Sequence, residues 1–180
     1  MRTRLVEIAD APALLAIYNP EVLEASVTFD LVPRSLAEQE DWISHHMSSH
    51  PCIVAVNEED EEGEPGARAE RILGFALFSP FRSRPAYATT VENSVYVQRE
   101  ARGRGVGELL LRELVTTAKI SGYHSIIARI VGENEGSIRL HEKVGFTLVG
   151  TEIEVGRKHN QWLDVVEYQY VVPEGVALKD

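Results

Sequence analysis

One cysteine, Cys52, stands in 180 residues. A single thiol excludes an internal disulfide and supplies no metal cluster, so no metal is expected. Set in the apolar run 52–56, it reads as a buried strand thiol rather than a nucleophile. Long apolar runs are also missing. No segment of about 20 apolar residues is present to cross a bilayer, and the opening "MRTRLVEIAD" has no apolar signal-peptide core. The expectation is a cytoplasmic protein with no membrane partner. Positive charge is scarce: 18 Lys and Arg stand against 28 Asp and Glu, a net charge of −10. That balance argues against broad nucleic-acid binding, and no nucleic-acid partner is expected. The local exceptions are the basic stretches 82–84 and 99–104.

What is present is an alternation of strand and helix signals around one sheet. Residues 5–8 read as a short strand. Asp10 reads as the N-cap of a helix with Pro12 in its first turn and Leu14, Leu15 and Tyr18 on its apolar face. After the irregular link "VTFDLVP", Ser35 and Glu38 have the spacing of a capping box, opening a helix that runs to about Met47. Residues 52–56, 72–79, 89–97, 125–131, 146–155 and 162–172 read as strands. Helices are expected over 105–121 and from Asn134 to Val144, the second closed by Gly145. The acidic stretch "NEEDEEGEPGARAER", residues 57–71, has almost no large apolar side chain and reads as an exposed hairpin loop. Its spacing does not match a calcium-binding EF-hand. His45, His46 and His50 crowd a helix end without a completing carboxylate motif, and read as solvated. His124 and His159 read as loop residues. There are no repeats and no sign of a second domain. The fold class is α/β, a central mixed sheet flanked by helices, over residues 1–173 with a tail at 174–180.

Residues 102–114 read "RGRGVGELLLREL". A strand, a glycine-rich turn and a helix N-terminus together make an anion site. The first helical N–H groups lack internal partners, the helix dipole favours negative charge, and glycine lets phosphate come close. A Walker A loop is excluded because the stretch ends Gly107-Glu108-Leu109. The dinucleotide fingerprint fails because the sixth position from Gly103 is Glu108. A flexible turn with two solvated arginines is the remaining alternative.

Three further groupings carry possible chemistry. On the strand 89–97, alternation puts Glu92, Ser94 and Tyr96 on one face and Val91, Asn93, Val95 and Val97 on the other. A carboxylate on a buried strand is costly unless partnered or functional, so Glu92 is either a general base or half of a salt bridge. Asn134, Ser137 and His141 follow i, i+3, i+7 spacing and share a helix face. His141 is either a reacting group or a satisfied structural histidine. Arg82 and Arg84 have guanidinium groups suited to carboxylate, phosphinate or sulfoximine oxygens, and read equally as a solvated face.

Four segments in order, "SPFRSRPAY", "TVENSVYV", "RLHEKVGF" and "GRKHNQWLDVV", together with Arg102-x-x-Gly105-x-Gly107 after "VYV" and the downstream "GENEGSIRLHEKVGF", resemble the GCN5-related N-acetyltransferases. The resemblance runs from Val6 to about Tyr170. It is closest to the subfamily of phosphinothricin and methionine sulfoximine acetyltransferases. It implies the single-domain fold of that superfamily, with a mostly antiparallel sheet, and acetyl-CoA as acyl donor. The pantetheine arm would pair with Val95, Tyr96 and Val97. The pyrophosphate would lie on the N–H groups of Arg102, Gly103, Arg104, Gly105, Val106, Gly107 and Glu108. Asn134 would bond the pantetheine arm, with Ser137 beside it.

Glu92 matches the subfamily's general base. His141 stands where many members of the wider superfamily have tyrosine, and agrees with the subfamily in being histidine; it would orient substrate, relay a proton or protonate the thiolate. Arg82, Arg84 and Tyr87 would contact the acceptor, with Phe29 walling the pocket. The apolar Trp162, Leu163 and Val165 read as core or dimer surface, and the resemblance implies a homodimer. The implied activity is acetyl transfer to the amine of methionine sulfoximine, methionine sulfone or phosphinothricin. The alternatives are an acetyltransferase for another small amine and a non-catalytic acyl-CoA-binding module.

Overall fold

The computed structural model describes residues 1–60 and 68–173. Seven strands form one sheet: β1 Arg2–Leu5, β2 Cys52–Asp60, β3 Arg68–Pro80, β4 Thr90–Val97, β5 Ser125–Val131, β6 Thr147–Lys158 and β7 Gln161–Val171. Their spatial order is β1-β2-β3-β4-β5-β7-β6. Every neighbouring pair is antiparallel except β4 and β5. Four helices cover the sheet: α1 Ala11–Glu24, α2 Leu36–Met47, α3 Val106–Ile120 and α4 Glu135–Val144. The mixed α/β sheet expected from the sequence is therefore present. No helix among the described residues is long and apolar enough to cross a membrane.

Strand alternation divides the core in two. Cys52, Val54, Val56, Phe75 and Leu77 point towards α1 and α2 and pack on Leu14, Ile17, Val22 and Ile43. Ile53, Ala55, Ala76, Phe78, Val91 and Ile126 point the other way, onto Leu110, Leu111 and Leu114 of α3. The apolar positions of α3 recur at helical spacing, so one stripe reaches the sheet while Glu113 and Lys119 remain outside it. Cys52 is buried as expected, and burial pushes its thiol up to about 12.

Three expectations need correction. Strand β1 occupies Arg2–Leu5, and Ile8–Asp10 is a short 3-10 turn. Asp10 is the reason. Its carboxylate takes the N–H of Glu7 at 2.8 Å and the Arg4 guanidinium at 2.7 and 2.8 Å, which folds the chain into a turn before α1. Asp10 thus holds the N-cap position of α1, but its side chain reaches backwards rather than onto the helix. The acidic stretch is not all loop. β2 and β3 extend through residues 57–60 and 68–71, with Asn57 opposite Arg71, and Glu70 is neutralised by Arg2 and Arg4 of β1. The remainder of that stretch, 61–67, and the tail 174–180 lie outside the described residues. Finally, His46 is not solvated. Its ring stacks on Trp42 with centroids 4.6 Å apart, His50 stacks parallel to Tyr123, and burial lowers the His46 pKa.

At the far edge, β6 and β7 join through His159 and Asn160, both at positive φ as a type I′ hairpin turn requires. Beside that turn Lys158 is buried, its ammonium donating to the Thr28 carbonyl at 2.8 Å and the Glu21 carbonyl at 3.4 Å. Tyr18 donates to Asp30 at 2.6 Å. These bonds fix the link between α1 and α2 over the β6–β7 hairpin, which decides where Phe29 sits.

Candidate active site

β4 and β5 pair only through Thr90–Ser125, Val91–Ile126 and Glu92–Ile127. Beyond that point each strand follows its other neighbour. β4 stays with β3 as far as Val97 opposite Gly74, and β5 stays with β7 as far as Val131 opposite Val165. Residues 93–97 and 128–131 diverge, and a cavity of about 540 Å³ opens between them. The inner edge of β4 therefore offers backbone N–H and C=O groups with no strand partner on that side, ready to pair with an extended amide chain.

The glycine loop closes the wide end of this wedge. Gly105 caps α3 in the left-handed region, at φ 84° and ψ 0°, and Gly103 also has positive φ. That geometry turns the chain sharply from the loop into the helix, so the free N–H groups at the start of α3 border the cavity. Gly107 serves a different purpose. A Cβ there would come within 3.1 Å of Leu140, so its glycine allows α3 and α4 to approach.

Side-chain charge in the loop is largely committed. Arg102 donates to Glu21 at 2.9 Å, as does Arg99, and the Glu21 carboxylate is only 5 % exposed. The Glu108 carboxylate takes Lys143 at 2.6 Å and Arg112 at 2.9 Å, which holds its pKa below the usual carboxylate range. Arg104 is exposed and lies outside the cavity lining. Positive potential at this mouth thus comes from backbone donors and the helix dipole more than from free cations.

The polar stripe on α4 faces the same cavity. Asn134 caps the helix, its carboxamide oxygen accepting the Ser137 N–H at 3.2 Å, which leaves its NH2 group for a ligand. His141 is 3 % exposed. Its Nδ1 lies 2.8 Å from the Ser137 carbonyl oxygen, and its Nε2 lies 3.0 Å from Asn93 Nδ2 on β4. A main-chain carbonyl only accepts, so Nδ1 carries the proton. Burial lowers the His141 pKa and keeps the ring neutral.

Glu92 lies on the opposite face of β4, half-buried beside Arg129. Burial raises its pKa, Arg129 pulls it down, and Glu167 and Glu152 push it up again. A carboxylate shifted upward in this way is a stronger base than an ordinary glutamate. The β3–β4 loop adjoins this end of the strand, since Pro80 pairs with Val91 and Ser79 with Glu92. Arg82 packs over the rings of Phe81 and Tyr87, with its guanidinium 4.8 and 5.6 Å from their centroids. Arg82 and Arg84 are both exposed, and among the described residues neither pairs with a carboxylate. Phe29 lies on Gly156 of β6, where a Cβ would come within 2.5 Å of the ring.

The fold therefore gathers most of the sequence candidates around one wedge: Val95, Tyr96, Val97, Arg102, Gly103, Gly105, Val106, Gly107, Glu108, Asn134, Ser137 and His141 all line it. Glu92, Phe29, Arg82, Arg84, Tyr87 and Arg104 lie outside that lining. Sequence reasoning missed Glu21, Asn93, Arg129 and Lys143, which also face the cavity. Only Asn93 left a local signal, as an amide among the valines on the apolar face of its strand.

Comparison with known proteins places this geometry in context. Residues 14–146 match the family model described as the acetyltransferase (GNAT) family. A phosphinothricin N-acetyltransferase of Streptomyces coelicolor is 39% identical over 160 residues, covering 89% of this chain and 90% of its own. An L-methionine sulfoximine/L-methionine sulfone acetyltransferase of Pseudomonas aeruginosa is 35% identical over 163 residues, covering 90% and 89%. Among solved structures, a GNAT superfamily phosphinothricin acetyltransferase from Sinorhizobium meliloti in complex with AcCoA superposes with a TM-score of 0.85 at 37% identity, covering 98% of this chain and 91% of that one.

The left-handed cap gives a direct test. Gly105→Val forces a β-branched residue to φ 84° and should lower unfolding free energy by about 1–2 kcal/mol. Gly105→Asn, whose side chain tolerates that region, should cost less. Equilibrium urea denaturation of the two variants measures both.

Proposed function

The chain belongs to the acetyltransferase (GNAT) family, and we propose from this premise that it acetylates the amine of a small amino acid bearing an oxyanion-like side chain. Methionine sulfoximine, methionine sulfone and phosphinothricin are the acceptors, as the names of relatives matched over about nine-tenths of the chain suggest. Transfer from acetyl-CoA is the activity of the family, and such a donor fits the wedge. The free β4 edge, the Asn134 NH2 group and the N-terminus of α3 border one cavity of about 540 Å³, which suits an extended arm ending in a diphosphate. A cytoplasmic setting is consistent with that donor.

Acetyl-CoA supplies an activated acyl group; the chain must supply the rest. An ammonium has no lone pair, so the acceptor nitrogen has to lose a proton before attack. Glu92 is the base, acting directly or through a water. Its raised pKa brings its basicity closer to that of the amine, and the surrounding Glu152 and Glu167 favour a cationic acceptor there. The observation that carries the acceptor class is the pair Arg82 and Arg84, exposed and unmatched by carboxylates among the described residues, on the loop at the Glu92 end of β4. Their forked donors suit the oxygens of a phosphinate, sulfone or sulfoximine. Tyr87 holds Arg82 in place, and Phe29 forms an apolar wall.

A homodimer is part of the same proposal. β6 is one edge of the sheet, and it exposes Leu148, Val149, Ile153 and Val155 beside Trp162 of β7. Edge strands with such an apolar face are covered in stable proteins. A second copy of this chain is the occupant.

Glu92→Gln keeps the shape and removes the base, so kcat should fall roughly a hundredfold or more while acetyl-CoA binding persists. In the unaltered enzyme the carboxylate must be ionised to act. Because its pKa is raised, the acidic limb of the kcat/KM profile should lie above the ordinary glutamate range, and Glu92→Gln should abolish that limb. A limb that persists in the variant points to another base.

For the acceptor, kcat/KM should rank methionine sulfoximine and phosphinothricin far above spermidine and an aminoglycoside. Arg82→Ala or Arg84→Ala should raise KM for the preferred acceptor roughly tenfold to a hundredfold, with acetyl-CoA affinity little changed. Preference for spermidine would overturn the acceptor assignment and leave the family intact. For the assembly, sedimentation analysis should give a dimer, and Ile153→Lys with Val155→Lys should give a folded monomer.

A further inference from the structure

Arg129 is the one exposed residue of β5, with buried neighbours on both sides. Ala128 and Ile130 pack towards α3, so Arg129 points to the other face of the sheet, the face that carries Glu92. Register places what surrounds it. Glu92 pairs with Ile127, so Arg129 stands two residues further along the parallel strand, about 7 Å away. Glu167 of β7 is directly opposite Arg129, and Glu152 of β6 accepts from its Nη2. That ion pair occupies one guanidinium nitrogen. Nη1 and Nε make no hydrogen bond among the described residues, and the side chain borders the cavity. The Glu92 carboxylate likewise makes no hydrogen bond among the described residues. A carboxylate and a guanidinium that lie side by side without closing on each other are open to a ligand with the opposite pair of charges.

An α-amino acid carries that pair. Its ammonium and carboxylate hang on one carbon, so their receptors have to be adjacent, as Glu92 and Arg129 are. Arg82 and Arg84 lie in the opposite direction along the strand, on the loop that leads into β4. Charge selects further. With all four groups ionised, Glu92, Glu152 and Glu167 against Arg129 leave this face two charges negative. A lone anion is repelled there. A zwitterion adds no net charge and sets its ammonium against Glu92. Acetylation removes the ammonium and keeps the carboxylate, so the same surplus of acid favours product release.

Resting on the proposed amino-acid acceptor, we infer that Arg129 is a specificity-determining residue that binds the α-carboxylate while Glu92 takes the amine. Arg82 and Arg84 keep the side-chain oxygens. Read in this way, the site selects α-amino acids over amines that carry the same side chain without the acid.

Methionine sulfone and its α-carboxamide test this, because the amide keeps the amine and the sulfone and removes only the negative charge. In the unaltered protein kcat/KM should favour the acid at least tenfold, a measurement that needs no variant to fold. Arg129→Gln should bring the acid-to-amide ratio near one, and Arg129→Lys, which keeps the charge, should restore part of it. Arg82→Ala should slow both compounds and leave the ratio as it was. The lower basicity of the amide's amine is common to every variant and cancels when ratios are compared. Equal use of acid and amide by the unaltered protein would overturn the inference. So would a ratio that Arg129→Gln leaves unmoved while the acidic limb of the pH profile shifts upward, which makes Arg129 only a neighbour that tunes Glu92. A ratio lost equally in Arg82→Ala would move the carboxylate to the loop and overturn it as well. Failure of the unaltered protein to acetylate either compound would instead overturn the proposed acceptor class.

Discussion

The parting of β4 from β5 is the constraint on which the rest depends. Two strands that run parallel and share three residue pairs are then drawn apart by stronger commitments, β4 to β3 and β5 to β7. Closure at one end is enforced by the core, where Val91 and Ile126 pack with Leu110 and Leu114. Opening at the other follows because each strand keeps its outer partner beyond the last shared pair. The crossover from β4 to β5 must pass over the sheet, and the helix it contains, α3, starts at the open end. A helix N-terminus with its glycine loop and an unpaired strand edge are thereby brought to one cavity.

Charge is arranged unevenly around that wedge. Around the glycine loop the basic and acidic side chains answer one another: Glu21 takes Arg99 and Arg102, and Glu108 takes Lys143 and Arg112. The nearly buried Glu21 would be costly alone and is stable because two guanidiniums share it. The same pairing ties α1 to the glycine loop, so the mouth of the site is braced from the opposite layer of the fold. Around the β3–β4 loop Arg82 and Arg84 have no such partners among the described residues, and Glu92 is left with a raised pKa beside Arg129 and two further carboxylates. Charge compensation is therefore largely complete around the glycine loop and incomplete at the Glu92 end of β4.

The link between α1 and α2 shows how position is conferred from a distance. Phe29 belongs to an irregular segment, yet its placement is set by Lys158, by Tyr18 through Asp30, and by the absence of a side chain at Gly156. A buried ammonium satisfied by carbonyl oxygens is an expensive clamp. It holds an apolar wall over the far strands of the sheet.

Much of this was legible along the chain because it is local. Strand alternation put Glu92 and Asn93 on opposite faces of β4, and helical spacing put Asn134, Ser137 and His141 on one face of α4. Those relations follow from periods of 2 and 3.6 residues, whatever surrounds the element. The Ser35–Glu38 capping box and the Gly145 cap are likewise short-range and formed as read. The first strand, the extent of β2 and β3, and the burial of His46 were misread because ion pairs and ring stacks between distant elements decided them. Only the tertiary structure could place Glu21 under Arg102, 81 residues on, or Asn93 against His141, 48 residues on. Such contacts depend on how layers pack, and no local periodicity encodes them. The sequence by itself determined which side chains share a face; the packing of β4 between β3 and a receding β5 decided which faces meet across a cavity.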